Sequence, residues 1–282
     1  MYAQWIQAEL AARGRSLTGP IEQVKDRPWS FVAKVPTGDG LLWFKENRAG
    51  TVYEAGLMQA LYDWAPDRIL PPVAIDAKRG WSLLPDGGQT MREAGNTDWE
   101  KLLSSFAVLQ RDLAPKTKEM LSLGVPDLRP LRLAELAETL PVPAEASVLL
   151  KEQCAELAQS PVPASIQHDD LHDANVFADG RFFDWGDASV AHPFGVLLVA
   201  LRVANDKGLD PPRLRDAYLE PWSDLAPRTQ LLREVELAMQ VTKVSRALSW
   251  QRALTDATPE QVAELEDPVS GWLGELLDDS PY

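Results

Sequence analysis

Residues 165–187 read S-I-Q-H-D-D-L-H-D-A-N-V-F-A-D-G-R-F-F-D-W-G-D and hold most of the side chains in this sequence that could do chemistry. Two of its three histidines, His168 and His172, lie here, and His192 follows five residues after Asp187. His168, Asp170 and Asn175 form an H-x-D-x-x-x-x-N pattern, and Asp184 stands nine residues beyond Asn175. Hard oxygen donors between short apolar runs suit Mg²⁺ held for phosphate chemistry. A hairpin of the runs 175–177 and 181–184 would bring the Asn175 and Asp184 oxygens to one metal ion. Aspartates in such clusters are more often solvated turn residues, and Asp169, Asp173 and Asp179 are read that way. Asp187 stands open between a turn residue and a third carboxylate serving the acceptor or a second metal.

Other elements must position these groups. A short leading helix over 2–13 is followed by strand patterns near 21–25, 30–35 and 41–45, the last two joined by the turn residues of 36–40. Lys45 closes that hairpin. A helix over 51–64 carries Glu54 near its start, and two further strands fall at 73–75 and 81–84. After Gly88 the pattern turns helical. Helices are expected from about 97 to 113 with Asn96 or Thr97 as cap, at 130–140, 144–159, 194–205, 211–218, 227–254 and 258–278. Runs of strands followed by runs of helices point to an α+β fold. The expected division is an N-lobe over 1–87, a small antiparallel sheet with one helix, and a mainly helical C-lobe over 88–282. Ligands favour the cleft at such an interface.

The composition narrows the partners. The net charge is −14 over 282 residues, which argues against a nucleic-acid or anionic-membrane surface. It would suit a cationic substrate by steering, although solubility is the plainer explanation. One cysteine, Cys154, excludes an intrachain disulfide. The N-terminal residues lack the basic start and apolar run of a secretory signal, and no apolar run is long enough to span a membrane. The expected setting is cytoplasmic, as a monomer or weak dimer.

The segment resembles the motif of the aminoglycoside phosphotransferase and choline kinase superfamily, a branch of the protein-kinase-like fold. That family shows H-G-D-L-H-x-x-N and then I-D-W; this chain shows H-D-D-L-H-D-A-N-V-F and F-F-D-W-G-D-A. The resemblance extends over nearly the whole length and implies a two-lobed fold and an ATP- and Mg²⁺-dependent kinase. Such an enzyme moves the γ-phosphoryl to a hydroxyl of a sugar, aminoglycoside or amino-alcohol. It implies Asp170 as the catalytic aspartate, Asn175 and Asp184 as metal ligands, and His168 and His172 as braces of the loop. Lys45 resembles the lysine that contacts the nucleotide phosphates, with Glu54 as its partner. Ser30 falls in the place of the phosphate-covering loop, and Leu83, Leu84 and Pro85 fall at the adenine-binding hinge. Two departures stand out. Asp169 replaces the usual glycine, where its side chain could crowd the loop or add a hydrogen bond. No aspartate occurs in A-H-P-F-G-V-L-L-V, where the family often places one to steady the loop, and His192 could take its place. The alternative reading is a nucleotide-binding pseudokinase or scaffold, against which the complete Asp170, Asn175 and Asp184 set speaks. A protein kinase is disfavoured because too few residues follow Asp184 to form a peptide-docking segment.

Overall fold

A computed structural model of the chain describes residues 1–278. Five strands form one antiparallel sheet in the order β1-β2-β3-β5-β4: β1 (Glu22–Arg27), β2 (Ser30–Thr37), β3 (Gly40–Asn47), β4 (Ala74–Asp76) and β5 (Trp81–Pro85). The β2–β3 hairpin closes at the pair Thr37 and Gly40, so two residues form its loop. Gly40 there has φ +125°, a conformation that a side chain would disfavour.

Alternation along these strands divides the sheet into two faces. Phe31, Ala33 and Val35 of β2, Leu42 and Phe44 of β3, and Trp81 and Leu83 of β5 pack with Ile6 and Leu10 of α1 (Tyr2–Ala12) in a small apolar core. Their neighbours Ser30, Val32, Trp43, Lys45, Asn47, Ser82 and Leu84 face the cleft.

Helix α2 (Tyr53–Trp64) follows β3, and its apolar face belongs elsewhere. Tyr53, Leu57, Met58 and Leu61 join the larger core, built mainly from the helices that come later in the chain. Those are α3 (Trp99–Leu113), α4 (Thr117–Ser122), α5 (Pro130–Ala137), α6 (Ala144–Leu157), α7 (Leu197–Asp206), α8 (Pro211–Leu219), the long α9 (Arg228–Ala253), α10 (Pro259–Ala263) and α11 (Pro268–Gly274). A two-stranded sheet of β6 (Ser165–His168) and β7 (Ala188–Ala191) lies among them. This is the expected α+β arrangement of two lobes.

Several details differ from expectation. The cap of α3 is Asp98, whose carboxylate accepts from Lys101 N–H; Asn96 instead accepts from Asp98 N–H. The hairpin expected between 175–177 and 181–184 is reduced to a single bridge, Val176 with Phe182. The partner of β6 is β7, a buried A-S-V-A run with no alternation to betray it. The helix expected over 258–278 is two helices, broken where Glu266 and Asp267 take φ +49° and +46° before Pro268. Helix α4 was not foreseen, since six residues carry too little periodicity.

Candidate active site

One cavity runs between the sheet and the helical lobe. It is lined by Ser30, Lys45, Glu54, Leu84 and Pro85 from the sheet side and by Asp170, Asp184 and Asp187 from the helical side. Leu83 is the exception among the hinge residues. It does not line the cavity, because the alternation of β5 turns it into the dry core beneath α1.

The tightest cluster joins the two sides. Lys45 Nζ donates to Glu54 Oε1 at 2.8 Å and to Asp184 Oδ1 at 2.5 Å. Glu54 also accepts from Asn47 Nδ2 and from Trp185 N–H. Burial alone would lower the Lys45 pKa; the Asp184 and Glu54 carboxylates reverse this and hold the ammonium above its ordinary value. Burial pushes the Glu54 carboxyl up against the pull of Lys45. With three donors aimed at it, Glu54 serves as an acceptor. The Lys45 ammonium holds Asp184 below the usual carboxylate range. Asp184 is half-exposed to the cavity and has φ +63°, a left-handed conformation rare outside glycine that turns its side chain out of the preceding run.

Asp170 lies across the cavity floor. Its Oδ2 accepts from Asn175 Nδ2 at 3.3 Å and stands 3.5 Å from His172 Nε2; its Oδ1 is 3.6 Å from Arg246 Nη2. Burial would raise this carboxyl, but His172 and Arg246 outweigh it and keep Asp170 below the ordinary aspartate range. Asn175 does not line the cavity itself. Its amide nitrogen donates to the Asp170 backbone O at 2.9 Å, and Phe183 N–H donates to Asn175 O at 3.2 Å, which fixes Asn175 beside the run leading to Asp184. His168 is buried, with Nε2 3.0 Å from Phe183 O, Nδ1 accepting from Asp170 N–H, and its ring 5.0 Å from that of Trp185. His172 Nδ1 accepts from Ala174 N–H at 3.1 Å.

Two aspartate readings need correction, and the open one at Asp187 narrows. Asp173 is not a solvated turn residue: it is buried and paired with Arg92 at 2.7 Å and Lys207 at 2.9 Å. Asp169 is also buried, accepting from Gln167 Nε2 and from Ser245 Oγ. Burial raises its pKa. Asp169 thus ties the loop to α9, while His192 bonds instead to Ser160 and lies near Glu234, away from the loop. Asp187 caps nothing; it accepts from Ser249 Oγ and from Arg246 Nη1 at 3.3 Å. Asp179, exposed and bonded to Arg181 N–H, is the turn residue expected.

Other lining residues escaped the sequence reading. Asn47 sits two residues beyond Lys45 on the same strand face, a signal that was available. Phe177 and Phe183 stack at 4.3 Å on the wall facing the hinge, and the Phe177 ring lies so close to Gly87 that a Cβ there would run into it. Lys25 and Arg27 of β1 add two cations. Arg246 comes from α9, far from any motif.

Among the described residues no group of three His, Cys, Asp or Glu side chains could hold a metal ion. What the site offers is one half-exposed carboxylate, Asp184, and the Asn175 amide oxygen, which accepts no hydrogen bond among the described residues. A sparse hard-oxygen set suits an ion that completes its shell with phosphate oxygens and water.

No helix among the described residues is long and apolar enough to cross a membrane. No curated protein sequence matches the chain significantly. Solved structures do share its fold. A macrolide 2'-phosphotransferase type I superposes with TM-score 0.63 at 16% identity, covering 99% of this chain and 97% of that one. The choline kinase LicA from Streptococcus pneumoniae gives 0.62 at 14% identity, covering 97% and 99%. A thermostable mutant of the aminoglycoside phosphotransferase APH(4)-Ia, in ternary complex with AMP-PNP and hygromycin B, gives 0.57 at 13% identity, covering 97% and 99%. The profile of the phosphotransferase enzyme family matches residues 89–232, a stretch that contains Asp170, Asn175 and Asp184. The chain therefore belongs to the phosphotransferase enzyme family.

Proposed function

We propose that the chain is an ATP- and Mg²⁺-dependent kinase that transfers the γ-phosphoryl group to a hydroxyl of a sugar, aminoglycoside or amino-alcohol. The observation that carries this reading is the pairing of Lys45 with Glu54 and Asp184 on one wall of a cavity whose floor presents Asp170. In this reading residues 1–87 hold the nucleotide, and residues 88–282 supply the catalytic loop and the acceptor pocket.

Phosphoryl transfer needs little covalent help from a protein; it needs alignment and charge neutralisation. Lys45 would hold nucleotide phosphate oxygens, fixed in place by Glu54. Backbone N–H groups around Ser30 would add donors from the turn between β1 and β2. Leu84 and Pro85 on one side and the Phe177–Phe183 pair on the other form apolar walls suited to a purine. Asn175 and Asp184 would hold Mg²⁺, which when bound neutralises phosphate charge. Asp170, ionised at neutral pH, would orient the acceptor hydroxyl and take its proton as the oxygen attacks phosphorus and the bond to the leaving diphosphate breaks. His168 and Asn175 fix the backbone and carboxylate of that aspartate.

ADP release measured with Mg-ATP over a panel of hydroxylated amines, sugars and antibiotics tests the reading. Acceptor-dependent ADP release that disappears in Asp170→Asn is the expected result. A thermal shift with Mg-ATP but no release with any acceptor would favour the scaffold alternative.

A further inference from the structure

Two indole rings that line the cavity have no role in the phosphotransfer reading. Trp29, in the turn between β1 and β2, packs edge-on against Trp250 of α9 with ring centroids 5.6 Å apart, and both rings line the cavity. Behind them the Gly50 backbone lies so close to Arg252 O that a Cβ on it would collide, so the two lobes touch there with no side chain between them. The whole cavity, nucleotide end included, is about 630 Å³. Pockets for one drug-sized ligand run to roughly 300–1,000 Å³. A nucleoside triphosphate would take much of this space and leave little of the cavity for an acceptor.

Charge restricts the acceptor as well. Asp86 and Glu93 stand toward the hinge, engaged by Trp43, Gly88 and Thr90. Lys45 holds Glu54 and Asp184. Asp170 and Asp187 are left to face an acceptor, and both already share Arg246, at 3.6 and 3.3 Å. This guanidinium is buried and covered by the Trp272 ring, 5.7 Å away. A ligand ammonium approaching either carboxylate also meets the Arg246 cation, and like charges repel. Two carboxylates and one guanidinium leave one uncompensated negative charge, and Lys25 and Arg27 add further positive charge to the same cavity.

We propose that Arg246 and the Trp29–Trp250 contact select a small hydroxylated acceptor, about the size of a monosaccharide or amino-alcohol, with at most one positive charge. They exclude multiply charged aminoglycosides and macrolides. The proposal rests on the phosphotransfer reading and narrows its acceptor class.

Calorimetric titration of hygromycin B and of erythromycin into the protein with AMP-PNP and Mg²⁺ tests the selection without requiring turnover. Neither should bind the wild type. Hygromycin B affinity should rise by at least about tenfold in Arg246→Gln, from relief of like-charge repulsion. Erythromycin affinity should rise similarly in Trp250→Ala or Trp29→Leu, from removal of the steric barrier. Retention of the Mg-ATP thermal shift shows that each variant is folded, and the wild-type titrations decide the matter if one is not. Binding of either antibiotic by the wild type overturns the proposal, as does the absence of any gain in folded variants. Complete absence of ADP release across the acceptor panel would instead overturn the phosphotransfer reading, a separate outcome.

Discussion

Two cations in this cleft are each shared by two carboxylates, and they are held differently. Lys45 lies 2.7 Å from Glu54 and 2.5 Å from Asp184. Arg246 lies 3.3 Å from Asp187 and 3.6 Å from Asp170. Charge-assisted hydrogen bonds are usually about 2.7–2.9 Å long. The lysine cluster is thus closed before any ligand arrives, and it joins the sheet to the helical lobe. The arginine cluster orients Asp170 without gripping it, and it arises wholly within the helical lobe. A tight triad serves as an anchor for a constant ligand, whereas a loose one can yield as an acceptor enters. Under the proposed function, this difference would place the nucleotide at the lysine end of the cavity and acceptor selectivity at the arginine end.

Removing the proton acceptor bears hardest on the arginine cluster. Asp170→Asn should lower kcat by about 10²–10⁴-fold, the span of general-base contributions, while the Mg-ATP thermal shift stays intact. Near-normal turnover would break the assignment. In the lysine cluster, Lys45→Met should lower kcat/KM by about 10²–10³-fold, in line with loss of one electrostatic contact to the transferred group. It also leaves the buried Glu54 uncompensated, so urea unfolding should register a loss of about 3–5 kcal/mol. A lysine variant of unchanged stability would show that the anchor is not closed in solution.

Smaller effects sharpen the contrast. Because Asp170 is held below its ordinary value of 3.8, it remains ionised as pH falls, and kcat/KM should stay level through mildly acidic pH. Arg246→Gln removes one of the groups depressing that pKa and lets burial prevail, so the acid limb of the pH profile should move up by about one unit. A limb that does not move would make Arg246 a packing residue. The mildest change is Asp169→Asn. Burial raises the Asp169 pKa, so its contribution is greatest at acid pH and is lost as pH rises through the raised value. Gln167 Oε1 has no partner and could accept from the new amide once the Gln167 side chain turns over. The cost at neutral pH should be about 1 kcal/mol or less by thermal unfolding, with turnover within a few-fold of wild type. The adjacent positions 169 and 170 would then differ sharply in kcat.

The lysine cluster was legible in the sequence and the arginine cluster was not. Lys45, Glu54 and Asp184 fall at positions where a strand end, a helix start and a motif each leave a local trace. Arg246 sits within a 26-residue helix that is buried on nearly every side in its second half, so no amphipathic stripe marks which residues face the cleft. Its partner Asp187 is 59 residues away in the chain. The same limit explains Asp169 and Asp173. A run of aspartates reads as solvated until the basic and hydroxyl groups that enclose it are known, and Arg92, Lys207 and Ser245 come from three different elements. The misplaced Leu83 is a different failure, since period-two alternation from Lys45 across the β3–β5 pairing of Lys45 with Ser82 would have put Ser82 and Leu84, not Leu83, on the cleft face. The α+β class was readable because strand patterns give way to helical ones along the chain.

The seating of α2 has a consequence for control. Tyr53 Oη donates to Gly186 O at 2.6 Å and reaches Ala188 O at 2.9 Å, Glu54 accepts from Trp185 N–H at 3.0 Å, and Leu57, Met58 and Leu61 are buried in the larger core. Swinging this helix outward would break several buried hydrogen bonds, each worth roughly 0.5–1.5 kcal/mol, and would also wet three large side chains. Under the proposed function the fold itself sets the Lys45–Glu54 pair, so output would follow the supply of ligands rather than the throw of an internal switch.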